Sequence, residues 1–267
     1  MRVAIFGGTG RMGGAITRAA GELNDVDISG ALTGPDDPLV GVDLGVPANL
    51  PTTGITVTAD AAEAVDGADV VIDFTLPSAL QSNLAACVKS GTAMVIGTTG
   101  LSDGQLELLN EAAQDIPIVY GRNMSVGVNV FTELARIATR YLGADWDVEI
   151  FEAHHRFKVD APSGTALQLG EAVANERGQK LDDVAAHNRS GKSDAREKGE
   201  IGFTSMRAGN IVGDHSIVFA ADTEIVELKH HAQDRSVFAH GALRAARWVN
   251  GKPAGLYSMA DVLGFEK

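Results

Sequence analysis

Arg2-Val-Ala-Ile-Phe6-Gly-Gly8-Thr-Gly10-Arg-Met-Gly13 opens the 267-residue chain and decides how it starts to fold. Arg2 to Phe6 make an apolar run of strand length, and from Met12 to Leu23 the apolar positions recur at helical spacing. Between them the glycines stand at G-x-G-x-x-G, the spacing of a tight strand-to-helix turn whose backbone a pyrophosphate can reach. Glycine lacks the Cβ that would block that approach. The N–H groups at the helix start, with the positive end of the helix dipole, then hold the negative charge.

The same alternation continues outward. Strands are expected at Val26 to Leu32, Thr56 to Thr58, Val70 to Phe74, Ala93 to Ile96 and Ile116 to Tyr120, with helices near Ala79 to Val88 and Asp103 to Ala113. This is the pattern of a parallel sheet covered by helices. Thr33 to Thr53, rich in Gly, Pro and Asp, reads as an irregular surface loop. After a helix from Val130 to Leu142 the rhythm changes to strands at Trp146 to Ala153, Ile201 to Arg207, Ile211 to Ala220 and Thr223 to His231. Gly209-Asn210 and Ala221-Asp222 suit tight hairpins, so an open antiparallel sheet is expected. The polar segment from Asn175 to Gly199 reads as a mobile loop, and Gly241 to Trp248 as a last helix.

A second pattern lies between Glu149 and Ala166, where His154, His155, Arg156 and Lys158 place four potential cations in five positions. The strand before them and a helical pattern from Thr165 to Ala174 put the cations on a strand-to-helix loop. Pro162 has a fixed φ suited to helix entry, Ser163 or Thr165 can cap the helix, and Gly164 lets a ligand approach. A carboxylate or phosphate suits such an end, although a solvated basic loop is the plainer alternative. On a strand His154 and His155 point to opposite sides and do not easily share a metal; no metal site is expected. An unperturbed imidazole, pKa about 6.5, matches neutral pH better than an ammonium at about 10.4, which favours His154 as a proton donor. Glu152 and Asp160 read as residues that orient the loop, and His215, His230, His231 and His240 as structural or surface groups.

The background is acidic, 35 Asp plus Glu against 22 Lys plus Arg and a formal net charge of -13, which argues against a nucleic-acid partner. No apolar stretch approaches the roughly 20 residues of a membrane span, and no signal-peptide core follows Met1. Cys87, the one cysteine, reads as a small core residue in a reducing compartment. A cytoplasmic protein is expected.

Glu152-Ala-His-His-Arg-Phe-Lys-Val-Asp-Ala-Pro-Ser-Gly-Thr-Ala166 resembles the signature of the 4-hydroxy-tetrahydrodipicolinate reductase family, also called the dihydrodipicolinate reductase family. Gly7-Gly-Thr-Gly-Arg-Met12, Asp73-Phe-Thr75, Val95-Ile-Gly-Thr-Thr-Gly100, Asn123-Met-Ser-Val-Gly-Val-Asn129 and Arg207-Ala-Gly-Asn-Ile-Val-Gly213 match in the same order. The resemblance spans nearly the whole chain. It implies an α/β protein with an N-terminal Rossmann-like parallel-sheet domain and an α+β C-terminal domain with an open mixed or antiparallel sheet. Residues 1–126 and 236–267 would bind the dinucleotide, and residues 127–235 the substrate and other subunits.

The implied reaction reduces a small cyclic dicarboxylate with NADPH or NADH in the diaminopimelate route to lysine. His154 and Lys158 would take part in catalysis, and His155, Gly164 and Thr165 suit the substrate carboxylates. For the cofactor the expected residues are Gly7, Gly8, Thr9, Gly10, Arg11 and Met12 at the first turn and Thr33 at the second strand end. Gly97, Thr98 and Thr99 follow at a third strand end, and Gly121, Arg122, Asn123 and Met124 on the nicotinamide side. The chain departs from family members that carry an acidic residue followed by Arg after the second strand. Thr33-Gly34 stands there instead, and with no carboxylate at that point and Arg11 near in sequence, the reading leans toward NADPH. The resemblance and the uncovered sheet face together imply a homotetramer, with a site between the domains that closes on hinges near Asn123 to Val130 and Gln233 to Ala239.

Overall fold

In the first strand, β1 (Arg2–Phe6), every residue after Arg2 is buried, because strands pair with it on both sides and helices cover both faces. The computed structural model describes residues 1–187, 189, 191 and 194–265. In chain order there follow α1 (Arg11–Gly21), β2 (Asp27–Leu32), α2 (Gly45–Ala48), β3 (Val57–Thr58), α3 (Ala61–Val65), β4 (Val70–Asp73), α4 (Leu80–Ser90), β5 (Ala93–Ile96), α5 (Asp103–Ala112) and β6 (Pro117–Tyr120). Then come α6 (Val126–Leu142), β7 (Asp147–His154), α7 (Gly164–Glu176), α8 (Leu181–Val184), β8 (Ala185–Ala186), β9 (Ile201–Arg207), β10 (Gly213–Ala220) and β11 (Ile225–Ala232). The chain ends in α9 (Ser236–Val249), β12 (Gly255–Tyr257) and α10 (Met259–Leu263). It divides into two compact units, residues 1–126 with 236–267, and residues 127–235.

In the first unit the strands run parallel in the order β12-β6-β5-β4-β1-β2-β3. The period-two alternation of β1 splits its side chains between two cores. Val3 and Ile5 join Ile16 of α1 and Ala242, Leu243 and Val249 of α9, while Ala4 and Phe6 join Leu84 of α4 and Leu109 of α5. The α9 helix is longer than its pattern suggested, and Gly241 lets it lie against the backbone: a Cβ there would meet the Met124 carbonyl oxygen at 1.7 Å. Sequence periodicity did not reveal the short β12, α3 and α10, each too brief to show a period. Nor did it reveal α2, a single turn inside the stretch read as an irregular loop.

The second unit has the strand order β11-β10-β7-β9-β8. Its sheet is mixed, one of the two forms the resemblance implied, and the antiparallel reading from the turn residues holds for part of it: β10 runs antiparallel to β7 and β9 parallel to it. Gly209-Asn210 therefore makes no hairpin, because β9 and β10 flank β7 on opposite sides. Ala221-Asp222 does close a hairpin, with Ala220 opposite Ile225. Phe131 of α6, Leu169 and Val173 of α7, and Val148, Ile150, Phe203, Ile217 and Phe219 of the sheet form the core. The segment read as a mobile loop carries the end of α7, then α8 and β8, and Arg189 and Arg196 pair there with glutamates of the sheet region. Residues 188, 190, 192 and 193 of that stretch lie outside the described residues.

Candidate functional site

The turn after β1 is built for close approach. Gly7 has φ +82°, and the amides of Gly7 and Gly8 both donate to the Leu32 carbonyl oxygen at 2.9 Å, tying the turn to the end of β2. A Cβ on Gly13 would stand 2.3 Å from the Gly7 carbonyl oxygen, so the helix can leave the strand this steeply only with glycine there. Gly10 caps α1 with no side-chain hydrogen bond, and the first amides of α1 remain for a ligand. Thr9 and Gly10 join Thr33, Gly34 and Thr75 around a cavity of about 1080 Å³ at the carboxyl ends of β1, β2 and β4. Strand order reverses at β1, the place where such sheets bind ligands. Arg11 is exposed at the start of α1 and Met12 is half-buried.

The other expected residues sit at neighbouring strand ends of this unit. The Gly97 amide donates to the Asp73 carbonyl oxygen at 2.9 Å, and the Phe74 ring fills the space that a Gly97 Cβ would need. Thr98 is buried and donates to the Thr75 carbonyl oxygen at 3.2 Å, while Thr99 is exposed. Asp73 itself is buried, and burial raises its pKa against the opposing hydrogen bonds from Thr75 and Asn83. Past β6, the Gly121 amide donates to the Ile96 carbonyl oxygen at 3.1 Å and the Asn123 side chain accepts from the Ser125 amide at 2.9 Å. Arg122 is exposed and Met124 is buried in the core. The end of β2 corrects the sequence reading: Thr33 donates to Asp37 Oδ2 at 2.7 Å, so a carboxylate does stand at that strand end. A proline turn between Thr33 and Asp37 hid it from the sequence.

In the second unit His154 is the last residue of β7, and the strand buries Glu152, Ala153 and His154 together. Parallel register sets Arg207 of β9 opposite His154. Arg207 reaches back to Glu152 as a bidentate partner, at 2.8 Å to Oε2 and 2.7 Å to Oε1. Glu152 Oε2 also lies 2.6 Å from His154 Nδ1, and Oε1 accepts from the Ser163 amide at 3.3 Å. Burial raises the Glu152 pKa, but the bonds from His154 and Arg207 outweigh it and leave the carboxyl at about 2. Glu152 is thus an ionised acceptor for the hydrogen on His154 Nδ1, which leaves Nε2 as the ring nitrogen not engaged by Glu152. Gly213 backs that nitrogen, for a Cβ there would lie 3.1 Å from it.

Glu152 also joins the strand end to the helix start. Ser163 caps α7 through the Ala166 amide at 3.2 Å, and its Oγ lies 2.9 Å from His215 Nε2. Gly164 and Thr165 are the first residues of α7, and the space where a Gly164 Cβ would stand is open. His215 packs edge-on to His154 with ring centroids 5.1 Å apart, and burial, then the His154 charge, lower its pKa to about 3. Lys158 pairs with Asp160 at 2.8 Å, and Arg207 donates to the Asp160 carbonyl oxygen at 2.6 Å. His155 lies 3.5 Å from an Arg235 nitrogen. The structure thus links His154 to the N-terminus of α7 through Glu152. His215, read as a structural or surface group, packs beside His154, and Arg207, quoted in the sequence only as the start of a family-like stretch, reaches Glu152 from another strand, while Arg235 carried no signal in spacing. Among the described residues no cluster of ligating side chains could hold a metal ion, and no helix is long and apolar enough to cross a membrane.

Residues 1–124 match the family described as dihydrodipicolinate reductase, N-terminus, and residues 127–263 the one described as dihydrodipicolinate reductase, C-terminus. The 4-hydroxy-tetrahydrodipicolinate reductase of Rhodopseudomonas palustris strain BisB5 is 48% identical over 99% of this chain and 97% of its own. The one from Pseudomonas fluorescens strain SBW25 is 47% identical over 98% of each chain. The solved structure of dipicolinate-bound dihydrodipicolinate reductase from Paenisporosarcina sp. TG-14 superposes with a TM-score of 0.76, at 25% identity and 98% coverage of both chains. Fold and kinship agree over nearly the whole length: the chain belongs to the dihydrodipicolinate reductase family.

Proposed function

We propose that the chain reduces 4-hydroxy-tetrahydrodipicolinate, by way of dihydrodipicolinate, to tetrahydrodipicolinate. The hydride comes from bound NADH or NADPH, whose chemistry the protein need only orient. The observation that carries this reading is the Glu152-anchored linkage of His154 to the helix start at Gly164. The uncapped start of α1 and the tight turn that Gly7 and Gly13 permit fit a pyrophosphate. Gly7, Gly8, Thr9, Gly10, Arg11 and Met12 would hold it, with Thr33 toward the adenosine. Gly97, Thr98, Thr99, Gly121, Arg122, Asn123 and Met124 would border the nicotinamide.

The substrate's carboxylates are taken by the Gly164 and Thr165 amides, by His155 and by Lys158. Lys158 exchanges Asp160 for the ligand, and each charge-assisted bond contributes about 1.5–3 kcal/mol. His154 delivers the proton from Nε2. It is left as a neutral imidazole with hydrogen on Nδ1, the tautomer that Glu152 stabilises. Arg207 keeps Glu152 ionised throughout.

Assembly as a homotetramer through the second unit is part of the proposal, supported by exposed Phe151, Met206 and Ile225 on its sheet. So is a cytoplasmic setting, which suits the lone, buried thiol of Cys87. The test couples aspartate semialdehyde, pyruvate and the upstream synthase to this chain and follows nicotinamide absorbance. Loss of absorbance that needs both proteins is expected, and its absence with either cofactor rejects the proposal. Light scattering that shows a stable monomer at micromolar concentration removes the tetramer.

A further inference from the structure

At the rim of the cleft after β2, Thr9 Oγ1, Thr33 Oγ1 and Asp37 Oδ2 stand 2.7 Å from one another in all three pairings. Three such contacts need three hydrogens. The two hydroxyls supply two, and Asp37 supplies none: hydrogen bonds from Thr9, Thr33 and the Leu39 amide hold its carboxyl below the usual carboxylate range, ionised at neutral pH. One oxygen pair is therefore left facing without a hydrogen between. The ionised Asp37 carboxylate beside it accepts from a ligand hydroxyl, whereas a phosphate brings only more acceptors and more negative charge.

Position says which hydroxyl. Thr9 belongs to the glycine turn, Thr33 ends the second strand, and both line the cavity beside Gly10 and Gly34. In sheets of this kind the acid that binds the adenosine ribose stands at this strand end, and here the expected position holds Thr33. Val40, Ala61 and Ala79 give the same cavity an apolar lining suited to a flat base. Arg11 is the competing element, since an exposed guanidinium attracts a 2′-phosphate. It has no side-chain partner among the described residues, while Asp37 is fixed by three hydrogen bonds.

We propose that Asp37, held by Thr9 and Thr33, accepts the vicinal hydroxyls of the adenosine ribose and makes the chain favour NADH over NADPH. The proposal rests on the dinucleotide reading of the same cleft and reverses the preference inferred from Thr33 alone. The test is kcat/KM with each cofactor for the wild-type chain and for Asp37→Asn and Asp37→Ser in the coupled assay. Wild type is expected to favour NADH by about tenfold or more, and each variant to shift the ratio toward NADPH by a similar factor, through KM with kcat retained. An unchanged ratio, or equal loss with both cofactors, overturns it. Should the variants fail to fold, inhibition of the wild type by ADP-ribose is compared with its 2′-phosphorylated form. Weaker inhibition by the phosphorylated form supports the proposal, and stronger or equal inhibition overturns it. If the wild type uses neither cofactor, the dinucleotide reading itself falls; if it uses both and the ratio ignores Asp37, only the ribose assignment falls.

Discussion

The end of β1 offers a ligand backbone amides, while the end of β7 adds charged side chains to those of a helix start. The first turn needs Gly7 and Gly13 because a Cβ on either would stand 3.0 Å or 2.3 Å from a carbonyl oxygen. The end of β7 and the loop after it instead carry two sets of ion pairs, Glu152 with His154 and Arg207, and Lys158 with Asp160, joined where Arg207 donates to the Asp160 carbonyl oxygen. A pyrophosphate is held the same way before and after reaction, so fixed amides suffice. A substrate that gains a proton needs a group that loses one, and only side chains do that. On the proposed roles, binding would be lost at the first place with the acid intact, and chemistry at the second with the cofactor still bound.

The strongest challenge to that contrast is His154→Gln, with Lys158→Ala beside it. Turnover is expected to fall on the order of 10² to 10⁴ while NADPH affinity, measured by fluorescence titration, stays near wild type. Equal loss of affinity in both variants would merge the two sites into one and sink the assignment.

Next in size is Glu152→Gln, which keeps the shape but removes the charge that orients His154 and balances Arg207. We expect kcat to fall by roughly 10² and its pH profile to move. A profile identical to wild type, at any kcat, would reduce Glu152 to a packing role.

Gly13→Ala probes the backbone site. Its methyl group would collide with the Gly7 carbonyl oxygen, so a loss of about 1–3 kcal/mol in stability and a tenfold or larger weakening of cofactor binding are expected, with substrate-analogue binding retained. Calorimetric titration with dipicolinate and with NADH separates the two, and parallel loss of both would contradict the contrast.

The smallest effect concerns acid stability. His215 has a folded pKa near 3, below its unfolded value, so its stabilising contribution is complete above pH 6.5 and is lost as pH falls toward 3. Each unit in that window removes up to about 1.4 kcal/mol. Glu152, depressed to about 2, acts in the same direction, contributing fully above about 4.5 and fading below it. His215→Gln should flatten the urea midpoint between pH 6.5 and 4.5; a slope equal to wild type would show that His215 does not titrate as its burial requires.

Local chemistry determined much of this. The glycine turn at Gly8 to Gly13, the buried strands β1, β4, β5 and β6, and the loop from His154 to Thr165 were legible because each is contiguous: alternation, helical period and turn residues act over a few positions. The hairpin at Ala221-Asp222 was legible for the same reason, and the one expected at Gly209-Asn210 was not, because β7 lies between the two strands it joins. Tertiary structure alone decided that Arg207, 55 residues beyond Glu152, pairs with it, and that His215 meets Ser163 from another strand. It also decided that the acid at the end of β2 is Asp37, turned back onto Thr9 and Thr33. Sequence patterns report which face a residue presents along its own element; which charge stands opposite it depends on strand order and register, and those are set by packing the whole sheet.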